Sequence, residues 1–240
     1  MNYKNNSFDI LISDLVRTLI LLTVFFIVSY IVLQLLNNYI GGYFIENIYP
    51  FFDLSDERNL STFYAVFLLA FSSLLLYIIS GLYRKNEQNG NPWLILSGIF
   101  LFMAADESIG LHEKIGALFK KLIGSSNLPD YLQYGWVLPY LVLLVILGIY
   151  FARFFLNLDR KTLIRFSVAF IVFVTGAAGF EMIESKFHQQ YGTYHLMYKV
   201  FVTIEETMEM LGTILFIRAL LLHIAENFHE IGFILKGDRK

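Results

Sequence analysis

The chain has no cysteine among its 240 residues. That absence excludes thiolate metal sites, disulfides and a cysteine nucleophile. Charge is scarce as well: Asp, Glu, Lys and Arg make up 16% of the chain, and the formal net charge is −2. With no basic tract, nucleic acid is not an expected partner. There is no internal repeat, no low-complexity stretch and no linker long enough to separate two folding units, so residues 1–240 read as a single domain. The first apolar run is too long for a removable signal peptide and lacks its small-residue cleavage pattern. No lysine falls in the middle of an apolar run, which disfavours retinal-type photochemistry.

What fills the chain instead is hydrocarbon. Apolar residues reach 57%, and 24 of them are phenylalanine. Repeated apolar runs of about 20 residues are the signature of transmembrane helices. The short alternating segments of a β-barrel are missing. The expected fold is all-α: a polytopic membrane protein, a bundle of six transmembrane helices spanning approximately 15–36, 62–83, 92–108, 136–155, 163–184 and 200–222. Pro92 suits the first turn of its helix, where the missing N–H is not needed, and Pro139 lies near the start of the fourth span.

Orientation follows from the placement of lysine and arginine. Lys4, Arg17, Arg84, Lys85, Arg153, Arg160, Lys161, Arg165, Lys236, Arg239 and Lys240 fall on one side of the six-span arrangement, and Arg218 lies towards it. The other side holds Arg58, Lys114, Lys120, Lys121, Lys186 and Lys199. Both termini are therefore expected to be cytoplasmic and the loop 37–61 outside, in a bacterial cytoplasmic membrane. The segment 110–123 carries Leu111, Ile115, Leu118 and Leu122 at helical spacing. It either continues the third span or lies along the interface. Residues 189–199, rich in tyrosine, read as a short interfacial hairpin. His223 and His229 are expected to serve solubility or headgroup contact on the cytoplasmic side.

Three stretches break the hydrocarbon rule. They are Asp106-Glu107 through His112-Glu113, then Glu181-x-x-Glu184 with His188, and Glu205-Glu206-x-x-Glu209. An ionised carboxylate at membrane depth costs several kcal/mol, so it persists for a functional reason and with a partner. Eight acids with few nearby cations call for a cation, and one or two metal ions are the most economical candidate.

The six-span arrangement brings the three stretches to one level. At 1.5 Å per residue, Asp106 lies about 21 Å from the cytoplasmic start of its span and Glu181 about 27 Å along the fifth. Glu205 and Glu209 lie about 8 to 14 Å below the outer end of the sixth. Facing agrees too. Glu181, Glu184 and His188 line one helical stripe, and Glu209 shares a face with Glu205 and Glu206. Asp106, Gly110 and Glu113 share another, with Ser108 and His112 beside them. Gly176, Ala177, Ala178 and Gly179 would let the fifth helix approach a neighbour closely. The bland alternative is an acidic interfacial vestibule without metal, with Glu205 and Glu206 as first-turn acids favoured by the helix dipole.

Many carboxylates with one or two imidazoles suit iron, manganese or zinc. The expected metal ligands are Asp106, Glu107, His112, Glu181, Glu184, His188, Glu206 and Glu209. Glu205 and Glu113 are the candidate general acid or base, because burial and like-charge neighbours tune carboxylates for that work. The ligand inventory is similar to that of soluble di-iron bundles, but neither of their Glu-x-x-His repeats is present. Ser108-x-x-x-His112 resembles one motif of the membrane-embedded ceramidase and progestin-receptor superfamily, although the His-x-x-x-His pair expected on that family's last span is absent. The stretch Asp106-Glu107, four residues, His112-Glu113 resembles a signature of uncharacterised bacterial multi-pass membrane proteins. That resemblance covers about one span in six and implies no activity.

The leading expectation is a metal-dependent membrane enzyme, an oxidoreductase or hydrolase, with its site near the extracytoplasmic leaflet and a membrane-soluble, lipid-like substrate. A divalent-metal transporter or channel subunit is the rival, since Glu-x-x-Glu motifs occur on the membrane helices of iron-transport proteins. A conducting path should stay polar to the far side. Here the cytoplasmic halves of the third, fifth and sixth spans carry only Ser97, Ser167, Thr175 and Thr213 as polar residues. A pore between copies of a homo-oligomer would evade that test. A non-catalytic subunit or sensor is the third reading.

Overall fold

The computed structural model describes residues 11–228, and every described element is helical. Six helical segments are long and apolar enough to cross a membrane. They are α1 (Ile12–Tyr39), α3 (Leu60–Lys85), α4 (Asn91–Ile109), α6 (Val137–Leu156), the composite helix Arg160–Tyr191 and the final helix Leu196–Asn227. The composite helix consists of α7 (Arg160–Val174), a π-helical turn (Thr175–Phe180) and α8 (Glu181–Tyr191), and the last helix is α9. Two short helices lie outside the spans: α2 (Tyr43–Ile48) and α5 (Leu111–Ile123). In lipid every backbone group must be paired within its own segment, which is why apolar runs fold as complete helices.

Local signals mark the ends. The Asn59 side chain caps α3 by accepting from the Ser61 and Thr62 amides, and Asp159 caps α7 through Thr162. Pro92 occupies the first turn of α4, as its sequence position predicts. Gly110 ends α4 in the left-handed region, at φ 60° and ψ 47°. Few residues other than glycine take that conformation. The chain therefore breaks between α4 and α5, and the segment 111–123 is a separate helix. Its Leu118 and Leu122 are exposed, as an interfacial helix requires. The expected hairpin at 189–199 is shorter than its tyrosines suggested. Helix α8 runs to Tyr191 and α9 starts at Leu196, where His195 accepts from the Met197 amide.

Hydrocarbon gives helices no reason to prefer one another over lipid, so association rests on close packing and polar contacts. Both are present. Gly212 of α9 lies so close to Phe173 of α7 that an added Cβ would sit 2.7 Å from the Phe173 nitrogen. Ser73 and Ser97 bond each other's carbonyls across α3 and α4 at 2.8 and 2.9 Å. Tyr64 donates from α3 to the Leu19 carbonyl of α1 at 2.6 Å. Leu68, Leu76, Ile79, Trp93, Ile214, Ile217 and Leu220 fill the centre. Helix α6 stands apart, burying only Val137 and Phe151.

The basic end of the bundle corrects the expectation for His223. Its side chain is 2% exposed rather than at a headgroup surface. Tyr83 lies 3.1 Å from Nε2, and Asn227 and Thr162 lie 3.2 and 3.4 Å from Nδ1. The imidazole stacks on Tyr83 and sits 4.9 Å from Trp93. It is a packing element joining α3, α4, α7 and α9. Arg218 is exposed, consistent with snorkelling. Lys4, His229, Lys236, Arg239 and Lys240 lie outside the described residues.

Candidate functional site

The π turn is what aims α8. Its sequence, Thr-Gly-Ala-Ala-Gly-Phe, is small enough for α9 to press against it. A Cβ on Gly176 would lie 3.0 Å from both the Glu205 carbonyl oxygen and Met208 Cβ. The turn therefore seats the start of α8 directly beside Glu205 and Glu209. π turns inside α-helices recur at functional sites because the extra residue re-aims the side chains that follow.

All three acidic stretches, together with the loop before α3, line one cavity of about 640 Å³. From α4 and α5 come Asp106, Glu107, His112 and Glu113; from α8, Glu181, Glu184 and His188; from α9, Glu205, Glu206 and Glu209. Every candidate residue read from the sequence reaches this cavity. Ten carboxylates line it, and Lys120 is the one lysine or arginine among the described lining residues.

The side chains are held in distinct ways. Asp106, 6% exposed, accepts from the His112 amide at 2.7 Å and from the Tyr140 hydroxyl at 2.8 Å, and lies 3.3 Å from His112 Nδ1. His112 Nε2 lies 3.5 Å from Glu57 Oε1, so both ring nitrogens are engaged by carboxylates. Burial lowers the imidazole pKa, but the bond and charge of Asp106, with Glu107 and Glu57, outweigh it and raise it above the usual range. Burial and the charge of Glu113 raise that of Glu57. His112 is thus built as the charge partner of Asp106 and Glu57 rather than as an open ligand.

Trp136 Nε1 donates to Glu181, and the Tyr134 hydroxyl donates to Glu184 while lying 3.2 Å from His188 Nδ1. Burial and the charge of Glu184 push the Tyr134 hydroxyl far up, so it stays a donor. Glu205 is a neighbour of both Glu181 and Glu184. It is 9% exposed, and its Oε2 is buried with no partner. Glu206 is near enough to Glu107, Glu209 and Glu184 for their charges to interact. Among the described residues, no three His, Asp or Glu side chains converge in metal-ligand geometry. Two of the carboxylates instead hold the Tyr and Trp donors.

Two expectations about facing change. The break at Gly110 removes the shared helical face of Asp106 and Glu113. Glu113 is exposed at the cavity mouth, without the burial that its acid–base role assumed. Ser108 is exposed and does not line the cavity, so Ser108 and His112 do not act together from one helix face.

Sequence reasoning missed Glu57, Tyr134, Trp136, Tyr140 and Tyr198, all of which line the cavity. Glu57 stood among ordinary loop acids. The aromatic residues at 134–140 had the composition of an interfacial belt. Their carboxylate partners lie 34 to 50 residues away, and no local pattern links them.

The lining residues nearest the basic end are Leu69, Ile99, Leu147 and Phe173, all apolar. None of the inner polar residues Ser97, Ser167, Thr175 and Thr213 lines the cavity. Ser97 is spent on Ser73, Thr175 on the Ile171 carbonyl and Thr213 on the Glu209 carbonyl.

A family model described as "Domain of unknown function (DUF8692)" matches residues 16–224, and so takes in every residue of the cavity. No curated protein and no solved structure matches the chain.

Proposed function

The chain belongs to the DUF8692 family, whose function is unknown, and from its own geometry we propose an integral membrane metalloprotein acting on a membrane-soluble substrate. One observation carries the reading. The Glu205 Oε2 is a buried, unpartnered acceptor in a cavity whose lining carries ten carboxylates. A buried carboxylate oxygen left without a donor costs free energy that a bound cation recovers.

Glu205 is the central ligand, with Glu181, Glu184, Glu206 and Glu209 around it and Glu107 and His188 at the margin. Oxygen donors with at most one imidazole suit a divalent ion such as iron, manganese or zinc. Bound there, the ion supplies Lewis-acid or redox chemistry. Trp136 and Tyr134 orient Glu181 and Glu184, as supporting partners orient ligands in metal sites generally. The Asp106–His112–Glu57 set sits towards the mouth and holds a proton rather than the metal. Glu113 lies exposed at the rim, outside the ligand set.

The blind inner end favours an enzyme over a transporter, because a transport path needs polar groups beyond the site. The lysine and arginine placement supports a site towards the outside of a cytoplasmic membrane, with both termini inside. Elemental analysis of detergent-purified protein tests the reading. Near-stoichiometric iron, manganese or zinc is expected in the wild type, with loss in Glu205→Gln and retention in Glu113→Gln. Wild-type protein free of metal, whose thermal stability none of the three ions raises, would overturn it.

A further inference from the structure

The cavity is acidic in one half only. Below the carboxylates its wall is hydrocarbon: Ile99, Phe102 and Met103 of α4 face Leu143, Leu144 and Leu147 of α6. From Val137 to Leu147 this wall runs along α6 for about 15 Å, half of a hydrocarbon layer of about 30 Å.

Two of these wall residues are also outer-surface residues. Phe102 is 45% and Leu143 43% exposed, although both line the cavity. Phe102 sits seven residues and Leu143 six from the acidic end of its helix, about 10 Å down by the helical rise. The opening they mark is therefore in the side of the bundle, at the depth of acyl chains.

Helix α6 is pinned to α4 above and below this opening. Tyr140 bonds Asp106 at the acidic end, and the Phe154 ring packs on Trp93, centroids 5.0 Å apart, at the basic end. Between Val137 and Phe151 no residue of α6 is buried. The two helices frame a slit whose upper edge is the carboxylate region and whose floor is apolar.

We propose that this slit is a lateral entrance, and that the substrate is a bilayer amphiphile. Its single long chain lies on Phe102, Leu144 and Leu147, and its head, carrying no negative charge, reaches the carboxylates. This inference rests on the proposed function for what happens at the head. It is independent of that reading for where the chain lies. The cavity volume falls in the range of about 300–1,000 Å³ typical of small-molecule sites. Ten carboxylates against one lysine exclude an anionic head in the absence of bound cation, since like charges in a low-dielectric site repel strongly.

The test uses the full chain in phosphatidylcholine nanodiscs without added metal. The probes are hexadecyl chains bearing a mid-chain diazirine and an amine, hydroxyl or carboxylate head. Photolysis followed by peptide mass spectrometry maps the adducts. The amine and hydroxyl probes are expected to label Phe102, Met103, Leu144 or Leu147 at least fivefold above the lipid-facing residues Val145 and Ile149. The carboxylate probe should label the slit several-fold less. Leu147→Trp, which fills the floor, should reduce slit labelling about tenfold, whereas Ile149→Trp should not. Manganese binding, followed in parallel by electron paramagnetic resonance, should survive Leu147→Trp. Slit labelling no higher than at Val145 and Ile149 in the wild type would overturn the proposal, whatever the variants do. Equal slit labelling by all three heads would overturn its head-group assignment. Slit labelling without manganese binding would sink the metal reading and leave the lateral entrance standing.

Discussion

The Tyr140 hydroxyl reaches 34 residues back along the chain to donate to Asp106 Oδ2 at 2.8 Å, tying the start of α6 to the end of α4. Asp106 is buried, and its other oxygen is held by His112. Tyr140→Phe leaves one buried carboxylate oxygen without a donor, a cost of about 1–3 kcal/mol. A lowered thermal midpoint in detergent is expected. Because the same bond closes the top of the α4–α6 slit, faster exchange of lipid-phase probes is expected alongside. An unchanged midpoint would mean that water replaces the hydroxyl.

The close approach of α7 and α9 gives a paired test. A Cβ on Gly212 would lie 2.7 and 2.8 Å from backbone atoms of Phe173, which cannot swing aside. Gly212→Ala should therefore cost about 1–3 kcal/mol by overpacking. Gly148 of α6 has nothing within 4 Å of the same position. Gly148→Ala should stabilise its helix by up to about 1 kcal/mol. Equal effects at the two sites would refute the packing description.

Asp159 supplies the pH dependence. The Thr162 side chain and amide hold its carboxyl below the usual carboxylate range. A depressed folded pKa adds stability above the unfolded value, near 3.8, and loses it as pH falls through the folded value. Asp159→Ala should cost about 1 kcal/mol at pH 7, as the loss of a helix cap does. The difference from wild type should shrink in unfolding titrations as pH falls below the unfolded value and through the folded one. A difference that does not shrink in acid would point to a cause other than the cap.

Topology can be read with single cysteines, because the chain has none of its own. Cysteines at Asp56 and Gln190 should react with an impermeant maleimide in intact cells, and one at Asn86 should not. Reaction at Asn86 from outside would invert the orientation.

A blind cavity implies no metal flux. Proteoliposomes should accumulate iron, manganese or zinc no faster than protein-free vesicles. Ser97→Ala, Thr175→Ala and Thr213→Ala should leave metal content unchanged, whereas Glu206→Gln should reduce it at least tenfold. When metal is well above its dissociation constant, a bound ion should stabilise the wild type by a few kcal/mol. Accumulation that Glu206→Gln stops would replace the enzyme reading with a transporter.

The spans were legible in the sequence because apolar runs of the right length can satisfy a bilayer only as helices. The three acidic stretches were legible because carboxylates are conspicuous against hydrocarbon. The sequence left open whether 110–123 continues the third span or lies along the interface, since the apolar spacing of Leu111, Ile115, Leu118 and Leu122 fits both. His223 was misjudged because its position near a helix end says nothing about Tyr83 and Trp93 closing over it. Tyr134, Trp136 and Tyr140 were invisible as carboxylate partners, because their pairing exists only once α6 lies beside α4 and α8.

The π turn at Thr175–Phe180 gives the acidic stripe of α8 a single mechanical address. A π turn amounts to one residue inserted into an α-helix. The wide turn absorbs that residue; wound as α-helix with none of its residues removed, the segment would turn everything after it by about 100° around the axis. Glu181, Glu184 and His188 would then swing off the cavity as a block, in a helix that stays intact. The width of one turn, and no ligand at all, separates this chain from a bundle with the same six spans and a disarmed interior.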